Sequence, residues 1–185
     1  HDIVKTSSNT NVVIAEKFKK AVDAGGIALS LVSRNGGAIK LQFENMVVME
    51  YDADDNVLQA QEIPKATDNT DVFPSYTGLL APYLLARAAA DWGWTDYMYT
   101  LKNEDSSEIT FSFIDRSKLS DDAKKTDNFG QIKYKGGKFT IDKIAIKNAK
   151  ANLSHIFPAK AGYVLQMNYF KKDKKLEMDM IKLNN

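Results

Sequence analysis

Cysteine is absent from this 185-residue chain, and its absence excludes several kinds of chemistry. Disulfide bonds, thiolate nucleophiles and cysteine-ligated zinc are all ruled out. Histidine is scarce as well, because only His1 and His155 are present. A histidine-rich metal site is therefore excluded, and a Ser-His-Asp triad could draw only on His155. We predict no metal site and no catalytic residue.

The chain also lacks an excess of charge and a long apolar run. Its 25 basic and 24 acidic residues give a net charge of +1, so we predict no nucleic-acid partner. The most apolar run, LLAPYLLARAAA at positions 79–90, is shorter than the roughly 20 residues of a membrane-spanning helix, and Arg87 interrupts it. We therefore predict a core helix there and no transmembrane segment.

Recognisable catalytic and nucleotide-binding motifs are missing too. The glycine pairs at positions 25, 36 and 136 form neither a P-loop nor a dinucleotide fingerprint, so we predict no cofactor. No G-x-S-x-G elbow accompanies Ser154. The acidic pairs 104–105 and 121–122 lie in predicted loops. A glycosidase-type pair of acids from different strands stays open, because such acids need not be close in sequence.

Period-two alternation, by contrast, runs through most of the chain and predicts strands. In IKLQFENMVVMEY, apolar residues at odd positions from Ile39 to Tyr51 share one face, with Asn45 as the exception. Because Met46 and Val48 add apolar side chains to the other face, either two-sided burial or a bulge at Asn45 is expected. DIVK and VVIAEKFK form two more strands around the turn SSNTN.

Three hairpins are predicted in the second half of the chain. TDYMYTLK pairs with SEITFSFI, and FGQIKYK pairs with KFTIDKIAI around Gly136 and Gly137. The last run changes phase, which suggests a bulge near Asp142 or Lys143. GYVLQMNYFK and KKLEMDMIKL meet across a lysine-rich turn. We expect the two apolar rows of that last hairpin to face one core; they are Tyr163, Leu165, Met167 and Tyr169, and Leu176, Met178 and Met180.

The predicted fold is mainly β, with about ten mostly antiparallel strands in hairpins and one central helix around residues 82–91. Pro82 suits the first helical position, and Gly93 ends the helix. The stretches 64–78 and 117–128 are predicted loops. Residues 1–185 form a single β-rich domain, arranged either as propeller-like blades or as a sandwich.

The stretch EYDADDNVLQAQEI places Asp52, Asp54 and Asn56 at alternate positions, as in the opening of an EF-hand. An EF-hand requires glycine at its sixth position and glutamate at its twelfth, where this chain has Val57 and Ile63. Aspartate and asparagine also favour tight turns. We therefore predict a hairpin turn without calcium.

Four aromatic residues cluster in DWGWTDYMY, at the junction between the helix and the next strand: Trp92, Trp94, Tyr97 and Tyr99. Aromatic side chains at such a junction could form a stacking platform for a glycan or a peptide. The competing interpretation is that Trp94 belongs to the core, since large aromatics dominate small β cores. These four residues are the predicted ligand-binding site.

Several runs taken together resemble a family of uncharacterised, exported, β-propeller-like proteins of the Bacteroidetes that carry a domain of unknown function. The runs are DIVKTSSNTNVVIAEKF, FENMVVMEYDADDNVL, LLAPYLLARAAADWGWTDYMYTL and PAKAGYVLQMNYFKKDKKLEMDMIKLN. The resemblance implies a periplasmic or cell-surface location, in keeping with a lipoprotein. It also implies that this chain is the C-terminal portion of a longer protein, and it assigns no activity.

We therefore expect a non-enzymatic, exported binding or scaffold protein. The alternative is a hydrolase that acts on glycans through two carboxylates on separate strands. If the chain is a fragment, its N-terminal strands should offer an unpaired edge, carrying Val12 and Ile14, to another protein chain.

Overall fold

The computed structural model describes residues 1–22, 39–66, 68–69, 82–115, 128–146, 151–160 and 162–183. The fold is mainly β: three antiparallel sheets and one short helix make up the described part of the chain. The prediction of a mainly β fold with one central helix is confirmed. The predicted loop 117–128 falls almost entirely outside the described residues, as does most of 64–78. No helix in the described ranges has the length and apolar character to cross a membrane.

The N-terminal sheet has the strand order β1-β2-β3-β4, and β5 pairs with the first half of β3. Its strands are β1 (Asp2–Lys5), β2 (Asn11–Val22), β3 (Ile39–Tyr51), β4 (Val57–Ile63) and β5 (Asp68–Asn69). The edge beside β2 is occupied by β1, and Val12 and Ile14 are buried in the core. The predicted N-terminal edge thus belongs to β1, and these two side chains do not lie exposed on it.

The middle and C-terminal sheets are simple meanders in chain order. The middle sheet contains β6 (Tyr97–Lys102), β7 (Glu108–Asp115), β8 (Asn128–Lys135) and β9 (Lys138–Ala145). The C-terminal sheet contains β10 (Leu153–Pro158), β11 (Tyr163–Phe170) and β12 (Lys175–Lys182). The β8–β9 turn uses Gly136 and Gly137 at φ of 55° and 74°, a left-handed conformation that glycine adopts without strain. The three predicted hairpins are confirmed.

The sheets stack in three layers with the middle sheet at the centre. One core joins the N-terminal sheet to the middle sheet, through side chains such as Ile14, Val48, Phe111 and Ile132. A second core joins the other face of the middle sheet to the C-terminal sheet; it includes Phe129, Ile146, Ile156, Val164 and Leu183. Because both faces of the middle sheet are covered, β9 buries different sides along its length. The predicted bulge near Asp142 is therefore absent, and β9 pairs with β8 without a register shift.

The helix, α1 (Pro82–Asp91), confirms the predicted position. Gly93, at φ 69°, ends it: its N–H donates to Ala90 O, and the Trp94 N–H donates to Ala89 O. This pair of hydrogen bonds is a Schellman motif, which satisfies the last carbonyl groups of the helix. Leu85 and Ala89 then pack on Leu41 and Phe43 of the N-terminal sheet.

A bulge in β3 changes which side chains are buried. Glu16 pairs with Met46 and Phe18 pairs with Phe43, so β3 has one residue more than β2 in between. Of the two explanations for Asn45, the bulge is correct. Because one extra residue reverses the facing of a strand, Leu41 and Phe43 are buried before it, and Met46 and Val48 after it. The expectation that odd positions up to Tyr51 share one buried face is wrong after Asn45.

The C-terminal hairpin is oriented opposite to our prediction. The two apolar rows do share one face, as predicted, but that face is turned away from the middle sheet: Leu176, Met178 and Met180 are 52%, 64% and 56% exposed. The intervening positions, Val164, Gln166 and Asn168, are buried instead. The predicted burial of both rows is therefore wrong.

Candidate functional site

Two clefts lie between the middle and C-terminal sheets, beside the predicted aromatic site. Their position follows from a bulge in β6. Tyr97 pairs with Phe113 and Tyr99 pairs with Ser112, so Met98 is an extra residue in the ladder. The bulge places Tyr97 against the core shared with the N-terminal sheet, and Tyr99 against the core shared with the C-terminal sheet. Alternation alone would have placed both rings on one face.

The four predicted aromatic residues therefore do not form one platform. Trp94 packs against the core between α1 and the N-terminal sheet, which agrees with the competing interpretation for that residue. Trp92 is 57% exposed and meets Trp94 edge to face, with ring centroids 4.7 Å apart. Tyr97 and Tyr99 are half-buried and line a cleft together.

That cleft, here called the edge cleft, has a volume of about 510 Å³. One wall of the cleft is lined by Gly93 and by the five residues from Thr95 to Tyr99. The other wall is lined by Ser154–Pro158 of β10. Both β6 and β10 are edge strands of their sheets. His155 lies here on an exposed strand position, with its ring centroid 6.1 Å from that of Phe157. An exposed histidine beside an aromatic ring can contact a ligand.

A second cleft of about 490 Å³, here called the lysine cleft, opens between the same two sheets, and Tyr99 lines both clefts. Three ammonium groups can reach it, from Lys102, Lys133 and Lys160. The Lys160 ammonium lies 4.5 Å from the centre of the Tyr163 ring, a cation–π contact. Among the described lining residues the one carboxylate is Glu108, which is paired with Lys135. The lining is therefore positively charged.

A row of polar side chains crosses the middle sheet beneath these clefts. Tyr99, Ser112, Gln131 and Asp142 lie opposite one another on β6 to β9. Each has a buried side-chain oxygen without a hydrogen bond to any described residue. Burial raises the pKa of the Tyr99 hydroxyl. The Ser112 hydroxyl lies close enough to oppose that rise in part, although the two oxygens do not reach hydrogen-bonding geometry. Buried polar atoms without partners are uncommon in native proteins, so these oxygens are sites for ordered water or for polar groups of a ligand.

Two other carboxylates approach each other at the end of the edge cleft but are engaged in a buried ion cluster. Lys65 lies between them, with its Nζ 2.8 Å from Glu16 Oε1 and 2.6 Å from Asp96 Oδ2. All three side chains are at most 1% exposed. The segment carrying Lys65 is held further by Lys143, which donates to Pro64 O. This cluster connects the sheets; its acids do not face an open cleft as those of a glycosidase do.

The acidic stretch at 52–56 forms the predicted hairpin turn between β3 and β4. Asp52 Oδ1 accepts from the backbone N–H groups of Asp54 and Asn56, each at 2.9 Å, and Asp52 Oδ2 accepts from the Asn56 side chain. These hydrogen bonds lower the pKa of Asp52, the side-chain bond from Asn56 most strongly. Among the described residues, no group of three or more histidine, aspartate or glutamate side chains could hold a metal ion.

Sequence reasoning located Tyr97 and Tyr99 at the clefts but missed Gln131 and the three lysines. A usable indication was present: in FGQIKYK the apolar residues Ile132 and Tyr134 occupy one face, which leaves Gln131 on the opposite face with Phe129. Recognising that this opposite face is also buried requires knowledge of the third layer.

Comparison with known proteins assigns the chain to a family without assigning it an activity. Neither a curated protein nor a solved structure matches the sequence. One family model matches residues 1–184, which is nearly the whole chain. The chain therefore belongs to a family of unknown function, DUF6770.

Proposed function

We propose that this protein is a non-enzymatic, exported binding protein whose ligand occupies the lysine cleft. The observation that carries the proposal is Gln131: the residue lines the lysine cleft and is 4% exposed, and its buried Oε1 has no hydrogen bond to any described residue. A protein maintains an unpaired buried acceptor at a cost of about 1–3 kcal/mol, which a ligand donor would offset on binding.

The chemistry of the lining favours an acidic oligosaccharide. Gln131 Oε1 needs a donor, and the Tyr99 hydroxyl can either donate or accept, so both groups suit sugar hydroxyls. The ammonium groups of Lys102, Lys133 and Lys160 suit carboxylates. Hydroxyl groups and carboxylates in one extended molecule describe a glycan that contains uronic acids. The edge cleft, with Tyr97 and His155 in its walls, extends the same groove.

The location and wider architecture are part of the same proposal. We infer export to the periplasm or cell surface, and a propeller-like parent protein of the Bacteroidetes, from the resemblance of the four runs quoted above. The four-stranded meander of the middle sheet supports only the propeller-like part of this proposal, because a propeller blade has the same topology; the described sheets themselves stack as a sandwich. Surface labelling of intact cells that express the full-length gene tests the location.

Titration calorimetry with hexagalacturonate, and with neutral maltohexaose for comparison, tests the ligand. We expect saturable heat only with the acidic sugar, and weakening as salt concentration rises, because the lysine contacts are screened. Lys133→Met should reduce affinity about tenfold or more. Lys138→Met serves as its control, since Lys138 is exposed on β9 and does not line the lysine cleft.

Gln131→Met separates binding from stability. The change removes an unpaired acceptor at nearly constant volume, so the melting temperature should stay the same or rise while binding of the acidic sugar falls. A fall in both would indicate a structural role for Gln131 and contradict the proposal. Release of reducing ends from the sugar by wild-type protein would instead support the hydrolase.

A further inference from the structure

The outer face of the C-terminal sheet is apolar across all three of its strands. Strand register aligns its side chains in three rows: Leu153–Tyr169–Leu176, His155–Met167–Met178 and Phe157–Leu165–Met180. We call these nine residues the apolar face. Six of them are between 37% and 64% exposed. At side-chain areas of order 150–200 Å² this is roughly 500–600 Å² of exposed apolar surface, at the upper end for a monomer.

The inner face of the same sheet makes this exposure more informative. Facing the middle sheet are Gln166 and Asn168, which are 1% and 2% exposed, and Gln166 Nε2 donates to Asn168 Oδ1 at 3.2 Å. A sheet with one solvated face normally turns its polar side outwards. Here the more apolar side points outwards, which is the pattern of a sheet that is covered on both faces.

A second apolar surface lies at the opposite end of the three-layer stack. On the outer side of the N-terminal sheet, Ile3, Val13, Met49 and Ala60 form one cross-strand row, and Val57 lies beside it on β4. Ile3 and Val57 are 68% and 57% exposed. We call these five residues the N-terminal face.

Charge distinguishes the two ends of the stack. The turn beside the apolar face, 171–175, carries four lysines and one aspartate, and Lys160 and Lys182 lie at the opposite end of that sheet. The turn beside the N-terminal face carries Asp52, Asp54 and Asp55. If the apolar faces of two copies met, lysines of one copy would lie against lysines of the other, whether the strands of the two copies ran parallel or antiparallel. An apolar face meeting an N-terminal face can pair the lysine turn with the aspartate turn.

We propose that the apolar face docks on the N-terminal face of a second copy of this chain, so that copies join head to tail. The exposed area of the apolar face, roughly 500–600 Å², is about two thirds of the roughly 800 Å² per partner that a standard interface buries, and the charged turns add to it. Each copy keeps one free face of each kind, so association continues beyond two chains. This inference does not rest on the proposed ligand, although Lys160 lies at the end of the apolar face and also lines the lysine cleft, and His155 and Phe157 belong to the apolar face and also line the edge cleft.

Two variants, each blocking one face, test the proposal by sedimentation velocity. Met178→Asp places a charge on the apolar face, and Val57→Lys places one on the N-terminal face. Both positions are exposed, so folding should be retained, and circular dichroism checks this. The average mass of the sedimenting species should increase with the concentration of wild-type protein. Each variant alone should associate at least about tenfold more weakly.

The decisive sample is an equimolar mixture of the two variants. Each retains the face that the other lacks, so the mixture should form a species of twice the 20.7 kDa chain mass and nothing larger. If Val57→Lys alone still associates like wild type, two apolar faces pair and the proposal is wrong. Wild-type protein that stays at 20.7 kDa up to about 500 µM also overturns it. If either variant misfolds, Lys172→Glu/Lys174→Glu and Asp54→Lys/Asp55→Lys test the turns instead. Each of these alone should associate weakly, because like charges then meet, and their mixture should regain open-ended association because every contact pairs opposite charges.

Discussion

Replacing Lys65 by methionine should destabilise the protein severely at neutral pH. The change keeps the length of the side chain and removes only its charge. Glu16 and Asp96 then remain buried without the cation that lies 2.8 Å and 2.6 Å from them. Removing one partner from a buried ion pair typically costs about 3–5 kcal/mol, because the other charge is left uncompensated. For a protein of ordinary stability this is about a fifth or more of the free energy of unfolding.

The pH dependence of this cost identifies its origin. Desolvation by burial raises the pKa of Glu16, and Lys65 opposes that rise. Without Lys65 the pKa of Glu16 should rise further, so the variant loses stability as pH increases above about 4.5, the unfolded value. The difference from wild type should thus be small at pH 4 and full at pH 7.

The alkaline side gives a second check. Desolvation alone would lower the pKa of Lys65, but Glu16 and Asp96 outweigh it and the pKa is raised. A raised lysine pKa contributes stability that is present below about pH 10.4 and is lost as pH rises through the folded value. Wild-type protein should lose this contribution, and the methionine variant has none to lose.

Urea unfolding followed by tryptophan fluorescence measures both effects, since Trp94 is half-buried against α1. Lys17→Met is the matched control: Lys17 pairs with Glu62 at 3.0 Å, but both side chains are nearly half exposed, so its loss should cost less than about 1 kcal/mol. A Lys65→Met cost no larger than that of the control, or one that does not shrink at pH 4, would refute the reasoning.

Three further changes test other parts of the structure. Tyr134→Phe removes the hydroxyl that donates to Glu50 Oε1 at 2.5 Å and should cost about 1.5–3 kcal/mol. Desolvation raises the pKa of Glu50, but hydrogen bonds from Tyr134, Gln59 and Thr10 outweigh it, so the pKa is lowered overall. The cost of Tyr134→Phe, measured by urea unfolding, should therefore shrink as pH falls below about 4.5. A cost that stays constant with pH would argue against this role of the hydrogen bond. Gly130→Ala should lower the melting temperature by an amount equivalent to about 1–3 kcal/mol, because a methyl group there would overlap the Phe113 ring, and an unchanged value would mean that the ring moves freely. Asp52→Ala should cost about 1 kcal/mol through the lost turn hydrogen bonds, while Asp54→Ala should not; a calcium-dependent rise in wild-type melting temperature that Asp54→Ala abolishes would contradict our assignment of this turn.

Local patterns predicted the elements of this fold well. Pro82 and Gly93 mark the ends of α1, Gly136 and Gly137 mark the β8–β9 turn, and Asn45 marks a bulge. Each of these features depends on a single residue that favours it locally, such as a proline at the start of a helix or a glycine in a left-handed turn. The sequence therefore carries these features within a few neighbouring residues.

Features that depend on layering could not be predicted in the same way. Alternation shows that two faces differ, but it does not show which neighbour covers each face. Hydrophobicity alone predicts that Gln166 faces solvent and that Leu165 faces the core. In the structure Gln166 is buried, and Leu165 lies on the outer face. The row containing Gln131 was missed for the same reason, and the split of Tyr97 from Tyr99 required the extra residue at Met98.

Burial of the middle sheet on both faces has a consequence for hydrogen exchange. Its inner strands, β7 and β8, are flanked by strands on both sides and by sheets above and below, so their amide protons should exchange only when the whole molecule unfolds. Among the described strands, β1 and β12 each pair on one side only, so they should exchange through local opening at lower free energy. Deuterium uptake should therefore rank the three sheets, with the amides of Phe111 and Ile132 protected longest.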